Sequence, residues 1–195
     1  MKNIGLTGGI GSGKTTVSKI LIKNGIPVYD SDSRAKFLMN NSSDLKSSII
    51  ENFGLESYKN NNLNKKYISR VVFNNKLALK KINKIVHPFV YKDFLEWKKK
   101  FFFKYVVFES ALIFESGSYK KNDYNILVTS DLNERIKRVV KRDKVDKENV
   151  LIRINNQWKD EKKIPLADYI INNDFISKTN KSVLDLIDTL DKLFK

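Results

Sequence analysis

Hydrophobic and polar residues follow two kinds of pattern along the chain. Short apolar runs, which are typical of buried strands, occur at residues 3–7, 26–29, 101–108, 124–129 and 167–173. Between most of these runs the apolar residues recur at three- and four-residue spacing, which predicts amphipathic helices. Strands separated by helices favour a parallel sheet with helices on both faces, so the sequence predicts an α/β fold.

The longest stretch without a strand pattern covers residues 33–100. Its apolar residues recur at helical spacing, and the Asn-rich segment 60–64 predicts an exposed tip within it. Pro88 is expected at the start of a helix, where proline is favoured. Residues 132–158 also show a helical pattern, and an apolar repeat over residues 183–193 predicts a closing helix.

We expect one domain over residues 1–195, made of a core, a helical insertion and a helical flap that we call the lid. The expected boundaries are residues 1–32, 101–137 and 166–195 for the core, 33–100 for the insertion and 138–165 for the lid. The chain has no cysteine, which excludes disulfides and thiolate metal sites. It also has no apolar run near the ~20 residues of a membrane span and no secretory leader pattern, so we expect a cytoplasmic protein.

Residues 8–15 read Gly-Gly-Ile-Gly-Ser-Gly-Lys-Thr and match the phosphate-binding pattern G-x-x-x-x-G-K-[ST] in full. A predicted strand precedes this string and a helical pattern follows it, which is the context in which the pattern binds nucleotides. Its glycines allow backbone N–H groups to converge on phosphates, and the N-terminus of the following helix favours the same negative charge. Lys14 adds a full positive charge, and the Thr15 hydroxyl is a candidate Mg²⁺ ligand. The sequence therefore predicts a nucleoside triphosphate site.

The net charge of +15 suits anionic partners, but lysine and asparagine are abundant throughout the chain. Much of the excess charge is therefore expected to come from a composition bias. Only six of the basic residues are arginine, and four of these lie between residues 135 and 153. Because the planar guanidinium binds phosphate through two N–H groups, this stretch is a candidate phosphate clamp; a solvated helix face is the alternative.

Missing motifs narrow the class of nucleotide-binding protein. The sequence has no N-K-x-D string and no D-x-x-G switch, which argues against a guanine-specific GTPase. The chain is also short for an ABC-type ATPase or a helicase. A small-molecule kinase fits best. A nucleic-acid-binding ATPase and a binding protein without catalytic activity are the alternatives from other classes.

Candidate catalytic carboxylates follow the predicted strands. Asp32, with Asp30 two residues earlier, follows the second strand, which we expect to neighbour the strand before the phosphate loop. A carboxylate there suits a general base for the acceptor hydroxyl, although either residue can instead cap a helix. Glu109 ends the third strand, where a carboxylate can hold the waters of Mg²⁺; a plain surface role is the alternative. His87, the sole histidine, suits a capping or packing role more than a substrate contact.

Seven segments, in order along the chain, resemble motifs of the dephospho-coenzyme A kinase family. They are residues 4–15, 30–32, 87–88, 109–115, 138–143, 153–157 and 167–173. The sequence departs from the family pattern at Glu109, where many members have Asp, and at Ala111, where many have Pro. Both changes are mild, because the carboxylate is retained and only a rigid turn residue is lost.

The resemblance implies a P-loop kinase that uses ATP and Mg²⁺ to phosphorylate the ribose 3′-hydroxyl of dephospho-CoA, the last step of coenzyme A synthesis. It implies that Asp32 is the general base, that Lys14, Arg138 and Arg142 act on the phosphates, and that Thr15 binds Mg²⁺. The nucleotide-binding residues it implies are Gly8, Gly9, Gly11, Ser12, Gly13, Lys14, Thr15, Thr16 and, near the base of ATP, Asn173.

Beyond the nucleotide site, the resemblance implies that residues 33–100 bind the acceptor, with Arg34 and His87 as candidates for its lining. A nucleoside monophosphate kinase or another metabolite kinase is the alternative with the same chemistry. We expect a monomer whose partner is a small molecule, with neither nucleic acid nor a membrane as a partner.

Overall fold

The computed structural model describes residues 1–73 and 75–195, and the chain forms two compact units. The first consists of Met1–Asp30 and Phe101–Lys195, and the second of Ser31–Lys100. The strands are β1 (Lys2–Thr7), β2 (Val28–Asp30), β3 (Tyr58–Lys59), β4 (Asn62–Leu63), β5 (Tyr105–Glu109), β6 (Tyr124–Thr129) and β7 (Tyr169–Asn172). The α-helices are α1 (Lys14–Lys23), α2 (Ser31–Asn41), α3 (Ser43–Phe53), α4 (Lys65–Phe73), α5 (Lys76–Lys98), α6 (Leu132–Asp143), α7 (Lys147–Asn155), α8 (Asp160–Lys163) and α9 (Ile176–Leu193).

A five-stranded parallel sheet in the order β2-β5-β1-β6-β7 forms the centre of the first unit. Its core joins apolar side chains of the sheet to one face each of α1 and α9, where Val17, Leu21, Val183 and Leu186 are fully buried. Each such side chain contributes about 1.5–3 kcal/mol on burial. The predicted α/β class is confirmed.

The order of the strands corrects one expectation about the site. We expected the second strand to lie beside the strand that precedes the phosphate loop, but β2 pairs with β5, and β5 pairs with β1. The reason is the burial of β5, whose Val106 and Val107 have no exposed surface and therefore occupy an interior position in the sheet. In the resulting register Leu6 lies opposite Glu109, and Glu109 lies opposite Asp30.

The third apolar run also forms a shorter strand than predicted. β5 starts at Tyr105, opposite Lys2, and the ladder ends with the bond from the Lys2 N–H to the Lys104 carbonyl (2.8 Å). In this register no residue of β1 lies opposite residues 101–103, so these residues lie outside the sheet. Phe102 is fully exposed. Apolar composition alone thus overestimated the strand.

In the second unit, α5 packs against α2, α3 and α4. The expected helix start at Pro88 is wrong, because Pro88 lies inside α5. An internal proline costs about 3 kcal/mol, whereas α5 buries Ile82, Val86, Val90 and Phe94 along one face, at about 1.5–3 kcal/mol each. The continuous apolar face therefore outweighs the local cost.

The Asn-rich tip lies in the same unit, between the paired strands β3 and β4. Asn60 and Asn61 adopt left-handed backbone conformations (φ 48° and 64°), which asparagine tolerates better than most residues. Both are exposed, so the predicted tip is confirmed. The role of this unit in acceptor binding stays a prediction, and the expected start of the lid at residue 138 falls within α6.

Candidate active site

The phosphate loop occupies residues 8–13, between the end of β1 and the start of α1. Gly11 and Gly13 have φ angles of 79° and 93°, a region that side-chain-bearing residues rarely adopt. The N-terminus of α1 follows directly, with Gly13 as its N-cap. The loop therefore has the backbone form that directs N–H groups and a helix dipole toward an anion.

The polar side chains of the loop fit a bound phosphate chain. Lys14 donates from Nζ to the carbonyl of Gly8 (2.8 Å), which holds its positive charge over the loop. Thr15, the next residue of α1, is exposed. The hydroxyls of Thr7 and Ser12 are buried and find no hydrogen-bond partner among the described residues. Buried hydroxyls in such a position are consistent with a site that a polar ligand completes.

No group of three or more histidine, cysteine or acidic side chains that suits a metal ion occurs in the described part of the chain. A Mg²⁺ ion at this site would accordingly depend on the Thr15 hydroxyl together with oxygens of the nucleotide and water, which is the usual arrangement for this ion.

Two residues from distant segments support the loop. Asn173, directly after β7, is buried and donates from Nδ2 to the Ser12 carbonyl (2.8 Å). Arg138 on α6 donates to the Asn173 carbonyl (2.8 Å) and to Ser130 Oγ (3.2 Å), and it reaches the Gly11 carbonyl at 3.5 Å. The structure thus brings two of the predicted site residues to the phosphate loop.

A buried carboxylate lies beside the base of the loop. Glu109, at the end of β5, is 9% exposed and accepts a hydrogen bond from Ser18 Oγ of α1 (2.5 Å). The alternative of a plain surface glutamate is therefore wrong. Glu109 fixes α1 against the sheet and lies in register with Leu6, two residues before the loop begins.

The comparisons with known proteins agree with one another. The family model for dephospho-CoA kinase matches residues 2–178. The chain belongs to this family. A dephospho-CoA kinase of Fusobacterium nucleatum is 41% identical over 171 residues, covering 87% of this chain and 88% of that protein.

Solved structures support the same assignment. A crystal structure of a Thermus thermophilus protein has a TM-score of 0.84 at 30% identity, with 96% of each chain covered. A dephospho-CoA kinase from Campylobacter jejuni has a TM-score of 0.67 at 27% identity, with 97% of each chain covered. Across the described residues, no helix has the length and hydropathy to cross a membrane.

The second arginine that the family resemblance places on the phosphates, Arg142, is not at the loop. Its exposed guanidinium forms a two-pronged contact with Asp143 (2.7 and 3.2 Å), which also accepts a bond from Arg153 (2.8 Å). Hydrogen bonding to Arg142 lowers the pKa of Asp143, and the same bond raises the pKa of Arg142. In the described residues no hydrogen bond joins Arg142 to the phosphate loop.

The predicted residues Asp32, Arg34 and His87 lie in the second unit. Asp32 is exposed in the first turn of α2. Arg34, two residues further along α2, forms a bidentate pair with Asp93 on α5 (2.8 and 2.6 Å). Desolvation lowers the pKa of His87, and the negative charge of Asp32 opposes that shift. The catalytic role of Asp32 stays a prediction.

Sequence reasoning gave no role at the loop to two residues that the structure places there. The guanidinium of Arg135 donates to the Ile10 carbonyl, and the side-chain oxygen of Gln157 accepts from the Ile10 N–H. Arg135 belongs to the arginine cluster and Gln157 to the segment 153–157 that resembles the family motif. Neither signal specified a contact with the phosphate loop.

Proposed function

We propose that this member of the dephospho-CoA kinase family transfers the γ-phosphoryl group of ATP to the ribose 3′-hydroxyl of dephospho-CoA, giving coenzyme A and ADP. The observation that carries the proposal is the match of the family model to residues 2–178 of a chain whose phosphate loop is intact. In the reaction the 3′-oxygen forms a bond to the γ-phosphorus, and the bond from that phosphorus to the β,γ-bridging oxygen breaks.

The phosphate loop and its lysine are proposed to hold ATP. Phosphoryl transfer requires mainly positioning and neutralisation of charge, since little covalent chemistry falls to the protein. Lys14 exchanges its bond with the Gly8 carbonyl for a phosphate oxygen, while the N–H groups of residues 11–16 bind the phosphate chain. Mg²⁺, bound by Thr15 and the nucleotide, supplies further neutralisation of charge.

Asp32 is proposed to accept the proton of the 3′-hydroxyl. Its position along the chain supports this role, because Asp30 lies in register with Glu109 and Leu6, and Asp32 follows two residues later. The strand ends of such a sheet border the ligand crevice. A positioned carboxylate of this kind contributes about 10²–10⁴-fold to the rate.

The two lid arginines are proposed to act differently. Arg138 is held against the loop by Asn173 and Ser130, so it is already placed for charge neutralisation. Arg142 has to exchange Asp143 for a phosphate oxygen as the lid, residues 138–165, closes. Asp143 keeps its ion pair with Arg153 after that exchange, so its charge is not left without a partner.

The direct test combines the purified protein with Mg²⁺-ATP and dephospho-CoA, and follows coenzyme A and ADP by mass spectrometry. AMP and adenosine serve as parallel acceptors. We expect phosphate on dephospho-CoA alone, loss of turnover in Lys14→Ala, and retention in Lys19→Ala, which removes an exposed lysine from the same helix. Transfer to AMP alone would contradict the proposed acceptor. A cytoplasmic location and a monomeric state stay proposals, the latter testable by light scattering.

A further inference from the structure

The backbone of Ile10, at the tip of the phosphate loop, is bound through both its N–H and its carbonyl by side chains far away in the sequence. Its N–H donates to Gln157 Oε1 (2.8 Å), and its carbonyl accepts a bond from Arg135 Nε (3.0 Å). The Ile10 side chain packs against the small apolar cluster of Ile136, Val139 and Val150 between α6 and α7. Backbone and side chain of this residue are thus both anchored outside the loop.

Arg135 also explains why residue 9 is glycine, although the phosphate-binding pattern allows any residue at this position. The pattern fixes residues 8, 13, 14 and 15, and any residue is allowed at 9. A Cβ atom at Gly9 would lie 2.0 Å from Nη2 of Arg135 and 2.6 Å from its Cζ, so the guanidinium occupies the space of a side chain there. Gly9 is required by Arg135 rather than by a backbone angle, since its φ is not in the left-handed region.

The burial of Arg135 makes its placement specific. Its side chain is 8% exposed, and its only ion pair among the described residues is with Asp160 (Nη1 to Oδ2, 3.4 Å). A buried guanidinium without a counter-charge is strongly destabilising. Asp160 therefore both neutralises the Arg135 guanidinium and orients it toward the Ile10 carbonyl.

The segment that carries Gln157 and Asp160 is itself bound to Glu115, in the turn that follows β5. The N–H of Trp158 donates to Glu115 Oε1 (3.0 Å), and Nζ of the fully buried Lys163 lies 3.0 Å from the same oxygen. Glu115 follows β5 by six residues. Trp158 and Lys163 therefore fix the segment 157–163 to Glu115. This fixation limits the movement of Gln157, which binds the Ile10 N–H.

We propose that Arg135 and Gln157 are positioning residues of the kinase reaction. They hold the Ile10 backbone, and through it the N–H groups of the phosphate loop, in the conformation that binds the triphosphate, while Asp160 orients Arg135. Neither side chain has to touch ATP. Donors aimed in advance at the transferred group stabilise its transition state without reorganisation, so a loosened loop loses both affinity and rate. This inference rests on the proposed function.

The decisive variants are a matched pair at Gln157. Gln157→Leu removes the acceptor for the Ile10 N–H at similar volume, and Gln157→Glu retains an acceptor. Asn155→Ala, an exposed change two residues earlier, is the control. We expect Gln157→Leu to lower kcat/KM for ATP by roughly 10- to 100-fold, with KM for dephospho-CoA unchanged. Gln157→Glu and Asn155→Ala should stay within about threefold of the wild type, on the same scale of effects.

A second pair of variants tests Arg135 independently. Gly9→Ala alone should impair ATP binding, because the new methyl group displaces the guanidinium. In an Arg135→Ala background the same change should have little further effect, since the space is then empty. Lys137→Gln, which removes an exposed charge two residues along α6, controls for charge. Thermal unfolding of every variant identifies any that fails to fold. If a variant of Gly9 or Arg135 fails to fold, the comparison of Gln157→Leu with Gln157→Glu tests the proposal.

ATP binding measured calorimetrically without acceptor separates this inference from the proposed function. Weaker binding by Gln157→Leu but not by Gln157→Glu supports the positioning role even if the wild type transfers no phosphate to dephospho-CoA. Wild-type binding and turnover by Gln157→Leu overturns it.

Discussion

Replacing Asn173 by alanine tests how the phosphate loop is supported. The side chain donates from Nδ2 to the Ser12 carbonyl (2.8 Å), and its Oδ1 accepts from Thr179 Oγ1 (2.8 Å). In the variant the Ser12 carbonyl loses its partner, at a cost of about 1–3 kcal/mol, and one further hydrogen bond worth about 1 kcal/mol disappears. Thr179 loses less than a full bond, because its hydroxyl also reaches the Phe175 carbonyl (3.0 Å).

These contributions predict that the free energy of unfolding falls by about 2–4 kcal/mol in Asn173→Ala. For a chain of this length that corresponds to a decrease in Tm of roughly 5–15 °C. The assay is thermal and urea unfolding beside Asn180→Ala, which removes an exposed asparagine from α9 and should cost nothing. The variant should also show a raised KM for ATP. Equal stability of the two variants would refute the assignment of Asn173 as a buried support of the loop.

Three further predictions concern single side chains. Asp32→Asn should lower kcat by about 10²–10⁴-fold with KM for ATP little changed, and near wild-type turnover would exclude it as the base. Arg142→Lys retains the charge but not the planar fork, so kcat should fall while Tm stays constant; a fall in Tm instead would indicate a structural role. The pKa of Asp174 is lowered mainly by hydrogen bonds from the Asp131 N–H and the Ser130 hydroxyl. The stabilisation that ionised Asp174 gives the folded state is present above about pH 4 and is lost as the pH falls further. The difference in free energy of unfolding between wild type and Asp174→Asn, measured in urea, should therefore narrow in acid. A difference that stays constant would contradict this.

The local parts of the fold could be predicted because they depend on neighbouring residues. The strand before residue 8, the glycine loop and the helix from Lys14 all follow from a motif and from apolar spacing over a few residues. Pro88 shows the limit of such rules. A proline favours a helix start locally, yet the apolar face that continues from Ile82 to Phe94 carries α5 through it.

The order of strands depends on contacts between distant segments, which no local rule specifies. The sequence nevertheless contained a usable signal, because the density of apolar residues around Val106 and Val107 is typical of an interior strand. An interior β5 has to lie between two other strands, and the short β2 is then left for the edge. An interior position for β5 therefore separates β2 from β1.

The supports of the phosphate loop were the least predictable part of the site. The hydrogen bonds that join Ile10 to Arg135 and to Gln157 span 125 and 147 residues of sequence, and they depend on how α6 and α7 pack. The one local sign of these contacts in the sequence is Gly9, a glycine at a position where the motif allows any residue. Its explanation is the space that Arg135 needs, which is visible only once both segments are placed.

The anchoring of Ile10 also constrains how the lid can move. Val139 and Val150 lie within residues 138–165, and the apolar cluster they form includes the Ile10 side chain. Gln157, in the same range, holds the Ile10 N–H. A lid that pivoted at residue 138 and left the phosphate loop in place would have to break both contacts. The apolar contact would expose buried surface and the hydrogen bond would leave a donor unsatisfied, so a closing movement that carries Ile10 with it costs less. The proposed closure of the lid is therefore expected to change the conformation of the phosphate loop through Ile10.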